Sequence, residues 1–173
     1  LSRTAHAQVV IADAVRLTHA DGPGVAELIV DNGAPGFFTA GAWTAGSFVG
    51  GYEGDYLWAS ASDSNPALAV WQFDVVTTGD YDVAVWYGAG SNRSAAVHYR
   101  AQTADGVATA TLDQTTGGNW TPLGRFPFVA GAHLVHVSTA ISPGLAADLI
   151  VDDGDSLFST TGSWMSGTTS PGY

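Results

Sequence analysis

LAVWQFDVVTTGDYDVAVWY, residues 68–87, is the stretch of sequence that decides the fold. Two sets of apolar side chains recur there at every second position, first Ala69, Trp71, Phe73 and Val75, then Tyr81, Val83, Val85 and Tyr87. Because side chains alternate between the two faces of a β-strand, each set predicts a strand with one buried face. Thr78-Gly79-Asp80 between them is typical of a turn, so the pair predicts an antiparallel hairpin.

Two further hairpins are predicted on the same grounds. Residues 95–102 and 107–112 flank a turn at Ala104-Asp105-Gly106, and residues 123–129 and 133–139 flank Ala130-Gly131-Ala132. No segment sustains the 3.6-residue period of an amphipathic helix. The chain is therefore expected to be all-β, an antiparallel sandwich of the jelly-roll or galactose-binding-like kind.

Composition excludes several classes of partner and cofactor. Five Lys plus Arg oppose 16 Asp plus Glu, a net charge of −11 that repels nucleic acid and anionic lipid surfaces. No apolar run reaches the roughly 20 residues of a membrane span, so we expect no membrane insertion. Cysteine is absent, which leaves no thiolate site or disulfide framework. The Thr-, Ser- and Gly-rich composition is common in secreted proteins, and we expect an extracellular or cell-surface location.

An internal repeat marks the organisation of the chain. LIVDNGAPGFFTAGAWTAGSFVGGY, residues 28–52, returns 121 positions later as LIVDDGDSLFSTTGSWMSGTTSPGY, residues 149–173, with twelve of 25 positions identical. A period of this length is that of a domain, not of a solenoid rung. The chain therefore contains the opening of one module twice.

Seven segments together resemble a known family. LIVDNG, GAW, GGYEGDYLWA, VWQFDV, DYDVAVWYGAGSNR, TGGNWTPLGRF and VIADAVRL are similar to the golvesin C-terminal-like domain, a β-sandwich module of secreted bacterial proteins that is also appended to xanthan-lyase-like enzymes. In that family VIADAVRL is the final strand and follows the body. Here it lies within residues 9–17, ahead of the body, where its alternation predicts one continuous strand.

The resemblance divides the chain into four parts. Residues 1–20 carry a displaced closing strand, residues 21–27 a linker, residues 28–148 the sandwich body, and residues 149–173 the opening of a second module. The closing strand has two readings. It ends a preceding module of an array, or it closes an exposed sheet edge of its own body or of a neighbouring molecule.

Three functions remain open, none of them catalytic, because no nucleophile elbow, zinc motif or phosphate loop occurs. The first is a structural or adhesive protein that forms a homo-oligomer, filament or matrix by strand exchange. The second is a carbohydrate-binding accessory module of a polysaccharide- or cell-wall-active enzyme, and the third is a spacer. The expected subunit contacts are Val9, Ile11, Val15, Leu17, Leu149, Val151, Phe158, Trp164 and Tyr173.

Aromatic residues with polar neighbours are the candidates for extracellular polysaccharide. Flat rings stack on sugar faces while amide or guanidinium groups bind hydroxyls, and the candidates are Trp120, Asn119, Trp58, Tyr56, Asn92 and Arg93. The alternative for the rings is a place in the sandwich core, which is the expected place of Trp71. Trp120, between Gly117-Gly118-Asn119 and Pro122, is expected on a loop. Arg93 either binds a carboxylate ligand or fixes its own loop through backbone carbonyls.

Acidic residues form one candidate metal site, and a further acidic residue, Asp13, lies on an apolar face of a predicted strand. Asp152, Asp153 and Asp155 offer oxygen ligands for calcium, although Asp-Gly turns also arise for conformational reasons alone. We expect no other cofactor. Asp13 lies between Ile11 and Val15 in the closing strand, so it needs a partner if it is buried. The sequence does not identify that partner, because strand parity places Arg16 on the opposite face.

Overall fold

The computed structural model describes residues 8–22, 24–47 and 50–142. This part of the chain contains twelve strands and a single 3₁₀ turn, Tyr52–Gly54. The strands are β1 (Val9–Ala12), β2 (Val15–His19), β3 (Leu28–Val30), β4 (Phe37–Ala40), β5 (Thr44–Ser47), β6 (Asp55–Ser60), β7 (Leu68–Val75), β8 (Gly79–Val85), β9 (Val97–Thr103), β10 (Gly106–Leu112), β11 (Thr121–Phe128) and β12 (Gly131–Ser138). The predicted all-β class is confirmed.

Three antiparallel sheets build a sandwich. A five-stranded sheet in the order β10-β9-β12-β7-β4 packs on a four-stranded sheet in the order β11-β8-β2-β3, and β1-β6-β5 form a smaller third sheet. The core between them holds the large aromatic side chains, which are at most 2% exposed: Trp71, Phe73, Tyr81, Tyr87, Tyr99 and Phe128. Among the described residues no helix has the length and hydrophobicity to span a bilayer.

Two of the three predicted hairpins are wrong. β7 pairs with β12 and β4, whereas β8 pairs with β11 and β2, so these consecutive strands lie in opposite sheets. β11 and β12 are separated in the same way. Only β9 and β10 form the predicted hairpin, with Thr103 opposite Gly106. Alternation shows which face of a strand is buried. It does not show whether the next strand in the chain pairs with it in the same sheet or lies across the core in the other sheet.

The closing segment is not one strand, as predicted, but two. β1 pairs with β6 in the small sheet, and β2 pairs with β8 and β3 in the four-stranded sheet. The break falls at Asp13 and Ala14, whose backbone carbonyls accept hydrogen bonds from Trp71 Nε1 (3.0 Å) and Trp86 N (2.8 Å). These bonds to other strands replace ladder partners at the crossing between sheets.

Four of the predicted subunit-contact residues lie in the core of their own chain. Val9, Ile11, Val15 and Leu17 are 9%, 1%, 0% and 0% exposed. In this structure their side chains pack within their own chain, and their role as contacts between subunits stays a prediction. Leu149, Val151, Phe158, Trp164 and Tyr173 lie outside the described residues.

On one side of β1, a buried side chain makes the hydrogen bonds that a neighbouring strand would otherwise make. Gln114, which is 0% exposed, accepts from Ile11 N through Oε1 (2.8 Å) and donates through Nε2 to Ile11 O (2.9 Å). Val9 N donates to Asn92 O at 3.0 Å, and Ser94 N donates to Val9 O at 2.8 Å. β1 is thus hydrogen-bonded on both sides although only β6 is a neighbouring strand.

Candidate functional site

Three aromatic rings and one guanidinium group meet at the end of the four-stranded sheet. The ring centroid of Trp120 lies 5.3 Å from that of Tyr52 and 5.4 Å from that of Trp86. Arg16 Cζ lies 4.5 Å from the Trp120 ring centroid, within cation–π distance. All four side chains are only partly buried. We call these four residues the Trp120 cluster.

The cluster is held by backbone contacts and by unusual backbone conformations. Trp86 Nε1 donates to Gly50 O at 2.8 Å. Glu53 (φ 53°) and Asn119 (φ 55°) are the non-glycine residues with positive φ among those described, and each adjoins a ring of the cluster, Tyr52 or Trp120. Such conformations cost free energy and often occur at functional sites. Both residues adjoin rings that contact each other, with the Tyr52 and Trp120 centroids 5.3 Å apart.

A groove of about 340 Å³ runs from Trp120 along the outer face of this sheet. Arg125 crosses it and makes a bidentate pair with Asp82, with both N–O distances at 2.8 Å, which lowers the pKa of Asp82. Arg16 Nε lies 3.4 Å from Glu27 Oε1. The groove therefore places one aromatic side chain, Trp120, beside the exposed Arg125–Asp82 pair and the partly buried guanidinium of Arg16.

Asp13 is buried beneath the same cluster. It is 1% exposed and accepts from Tyr52 N through both carboxylate oxygens, at 3.2 and 3.1 Å, which identifies the missing partner. Burial raises the pKa of Asp13 to about 8, against the Tyr52 hydrogen bond, and the negative charges of Asp31 and Asp55 add to the increase. Asp13 is thus protonated over much of the neutral range.

An acidic recess of about 450 Å³ adjoins Asp13 and is lined by Asp31, Glu53 and Asp55. Burial also raises the pKa of Asp31. Within the described residues no group of three or more His, Asp or Glu is arranged to hold a metal ion. The predicted calcium ligands Asp152, Asp153 and Asp155 lie outside that part of the chain.

The indole N–H groups separate structural tryptophans from candidate ligand contacts. Trp43 donates to Leu68 O, Trp71 to Asp13 O and Trp86 to Gly50 O. Trp58 and Trp120 are the described tryptophans whose indole N–H has no acceptor among residues 8–22, 24–47 and 50–142. Since a buried indole usually finds an acceptor, these two are the ones with a free donor for a ligand.

The residues predicted to bind carbohydrate do not lie together in one site. Asn119 and Trp120 are at the Trp120 cluster, whereas Trp58 lines a separate recess with Ser62 and Asn65. Tyr56 packs against the core, and its ring covers Gly46.

Asn92 and Arg93 are in a third place, beside β1. Arg93 donates to Gly88 O at 3.2 Å and to Asn92 Oδ1 at 2.6 Å, and therefore fixes its own loop. Sequence reasoning missed Arg16, Asp82 and Arg125 as members of a site. Their positions on the solvent-facing side of predicted strands were the signal that the sequence offered. The strand pairing that brings the three residues together was not predicted.

Comparison with known proteins agrees with this antiparallel sandwich and assigns a family. Residues 28–151 match the family described as the Golvesin C-terminal domain, so the chain belongs to this family, as the resemblance indicated. Golvesin of Dictyostelium discoideum is 30% identical over 95 residues, which cover 54% of this chain and 16% of that protein. The structure of a Paenibacillus xanthan lyase has the same fold, with a TM-score of 0.53 and 20% identity over 72% of this chain and 11% of the lyase. The chain thus spans a small part of both relatives.

Proposed function

We propose that this protein is a non-catalytic extracellular module that binds saccharide at the Trp120 cluster and accompanies a polysaccharide- or cell-wall-active enzyme. The observation that carries the proposal is the partly exposed Trp120, with its unpaired indole N–H, at the head of a groove with paired charges. Family membership and the fold shared with a xanthan lyase support a place beside polysaccharide chemistry.

The chemistry of the groove suits a pyranose. Arg16 lies over the Trp120 ring, so only the exposed part of that ring offers an apolar surface to sugar C–H groups, together with one donor to a hydroxyl. The Arg125–Asp82 pair is more than half exposed on both sides, so a hydroxyl can donate to the carboxylate while another accepts from the guanidinium. A few placed polar groups on a largely apolar wall are typical of small-ligand sites.

Replacing Trp120 with Ala is expected to weaken binding to the recognised polysaccharide at least tenfold, which corresponds to about 1.4 kcal/mol. The reason is that the substitution removes both the ring and the free N–H. Affinity electrophoresis over a panel of polysaccharides and peptidoglycan provides the measurement. Phe38→Ala, which removes a partly exposed ring on β4, is the matched control and should bind like the parent. Equal mobility of the Trp120→Ala variant and the parent on every polymer would overturn the proposal.

A second candidate function, assembly with neighbouring molecules, is supported by the contacts of residues 28–52. Phe37 packs on Trp71 with centroids 5.4 Å apart, and Trp43 Nε1 donates to Leu68 O at 2.9 Å. A Cβ at Gly41 would lie 2.8 Å from the Cβ of Ala67. The sequence of residues 149–173 repeats these contact residues and others: Leu149, Val151, Phe158, Gly162, Trp164, Gly167 and Gly172. We infer that residues 149–173 can occupy the same position on the body of a neighbouring molecule.

Competition limits this exchange, since each chain has one such position and two segments that fit it. Leu157 replaces Gly36, where a Cβ would lie 2.7 Å from Gln72 O, so the second segment is the weaker occupant. Exchange between molecules is therefore favoured at high protein concentration, where association gains from mass action. A filament would follow if donation proceeds head to tail without closing.

Cysteine pairs test the exchange, because the chain has no cysteine of its own. Arg16 is opposite Ile29 in the β2–β3 pairing, and Ile150 is the repeat of Ile29. Cross-strand Cα distances suit a disulfide. The Arg16→Cys/Ile150→Cys variant is expected to form interchain disulfides after refolding, in a fraction that rises with concentration on non-reducing gels.

Two matched variants make that result interpretable. Arg16→Cys/Ile29→Cys should give a bridge within one chain. Arg16→Cys/Val151→Cys, one residue out of register, should give little, because a slip of one position turns the side chain to the other face. No bridge, or a bridge only within the monomer, would contradict exchange between molecules and leave the saccharide proposal intact.

A further inference from the structure

A second recess lies around Trp58, apart from the Trp120 groove. It has a volume of about 360 Å³ and is lined by Trp58 of β6, the central strand of the small sheet; the Trp58 side chain also packs against the hydrophobic core. The groove at Trp120 has no lining residue in common with it. The two recesses are therefore separate places on one module.

The polar groups of this recess are neutral. The hydroxyls of Thr44, Ser60 and Ser62 and the amide of Asn65 line it, and no charged side chain does so among the described residues. In a chain with a net charge of −11, an anionic ligand would meet repulsion here without a compensating cation. The lining therefore favours a neutral ligand rich in hydroxyl groups.

The wall that carries Ser62 and Asn65 is held in place before any ligand binds. Asp63 accepts from Ile141 N, Ser142 N and Ser142 Oγ, each at 2.8 Å. Ser62 N donates to Thr139 O at 2.9 Å, and Ala67 N donates to Thr139 Oγ1 at 2.7 Å. A preformed wall reduces the ordering cost of binding.

Trp58 itself has the features of a ligand contact. Its indole N–H has no acceptor among the described residues and, unlike the ring of Trp120, its ring has no aromatic or cationic side chain of that part of the chain packed on it. Trp43, whose neighbours in sequence Ala42 and Thr44 line the same recess, instead uses its N–H on Leu68 O. We propose that the Trp58 recess binds a neutral pyranose unit, as a saccharide site additional to the one at Trp120.

Indole N–H signals in a ¹H–¹⁵N spectrum test this site directly. The Trp58 signal, assigned through Trp58→Phe, is expected to shift during titration with at least one of a panel of neutral hexasaccharides of glucose, mannose or galactose. Hexuronic acid oligomers of the same length should leave it unchanged. The signal of Trp71, buried and bonded to Asp13 O, is the internal reference that should not move.

Variants of the lining complete the experiment. Asn65→Ala, at an exposed position, and Ser62→Ala, at a partly buried one whose hydroxyl contacts Ser64 Oγ, should each weaken the Trp58 response severalfold while the parent fold is retained. A shift at Trp120 with none at Trp58 over the whole panel overturns the second site but leaves the proposed function standing. A Trp58 shift that survives both substitutions also overturns it, because the ligand would then not lie in the recess.

Discussion

Replacing Gln114 with Ala is expected to lower the free energy of unfolding by roughly 4 kcal/mol, a large effect for one polar side chain. The amide makes three buried hydrogen bonds, two with the backbone of Ile11 and one to the hydroxyl of Tyr99 at 3.0 Å. Removing it leaves the N–H and C=O of Ile11 buried without partners, because Ile11 is 1% exposed and water does not reach it. Chemical denaturation followed by tryptophan fluorescence measures the loss.

Two matched variants distinguish the loss of these hydrogen bonds from the loss of ordinary glutamine packing. Gln114→Glu keeps the size but replaces the donor to Ile11 O by an acceptor, and it should be nearly as destabilising as Ala. Gln102→Ala removes a partly exposed glutamine of β9 and should change the free energy of unfolding by less than about 0.5 kcal/mol. A Gln114→Ala chain as stable as the Gln102→Ala chain would mean that β6 alone is sufficient to hold β1.

The closing segment shows how far the sequence predicts this fold. The alternation of the segment correctly indicates β-structure, but it does not predict that Val10 and Ala12 on the other face are buried as well. The division into β1 and β2 is not predictable from that pattern, because Asp13 keeps its parity while the chain crosses between sheets. Gln114 gives no local signal either, since it acts on a segment 103 residues away.

Pairing was the weakest part of the prediction for a related reason. β7 and β8 show ideal alternation and a turn sequence between them, and both features fit a hairpin as well as a crossing between sheets. The length of the connection between β7 and β8 does not distinguish a hairpin from a crossing between sheets. Only packing of the whole sandwich, with Trp71 and Tyr81 buried from opposite layers, selects the crossing.

The sequence predicts the aromatic residues of the candidate site but not the charged residues that lie beside them. The Gly-Gly-Asn sequence before Trp120 correctly predicts a loop, and Trp58 lies at a recess. Arg16 could not be assigned to Trp120, because the two residues are 104 positions apart in sequence and only the pairing of β2, β8 and β11 brings them together. Site prediction thus failed where strand pairing failed.

Asp13→Asn is expected to remove most of a pH dependence that the parent shows between about pH 5 and pH 8. The folded chain raises the pKa of Asp13 to about 8 from its usual value near 3.8, so between these values the folded state binds more protons than the unfolded state. Stability therefore falls as pH rises through this range, is fully present below it, and is lost above it. At 1.36 kcal/mol per pH unit, the parent should lose on the order of 4 kcal/mol from pH 5 to pH 8.

The asparagine side chain has the same shape and no charge, and its oxygen can still accept from Tyr52 N. The variant should therefore match the parent most closely at low pH and exceed it at pH 9, where the parent buries a carboxylate near Asp31 and Asp55. Thermal unfolding at a series of pH values measures both slopes. Asp74→Asn, an exposed change of the same charge on β7, is the control and should keep the slope of the parent. Parallel curves for the parent and Asp13→Asn would mean that the carboxylate is solvated or repartnered in solution, and that the crossing between β1 and β2 is more open than the hydrogen bonds from Tyr52 and Trp71 imply.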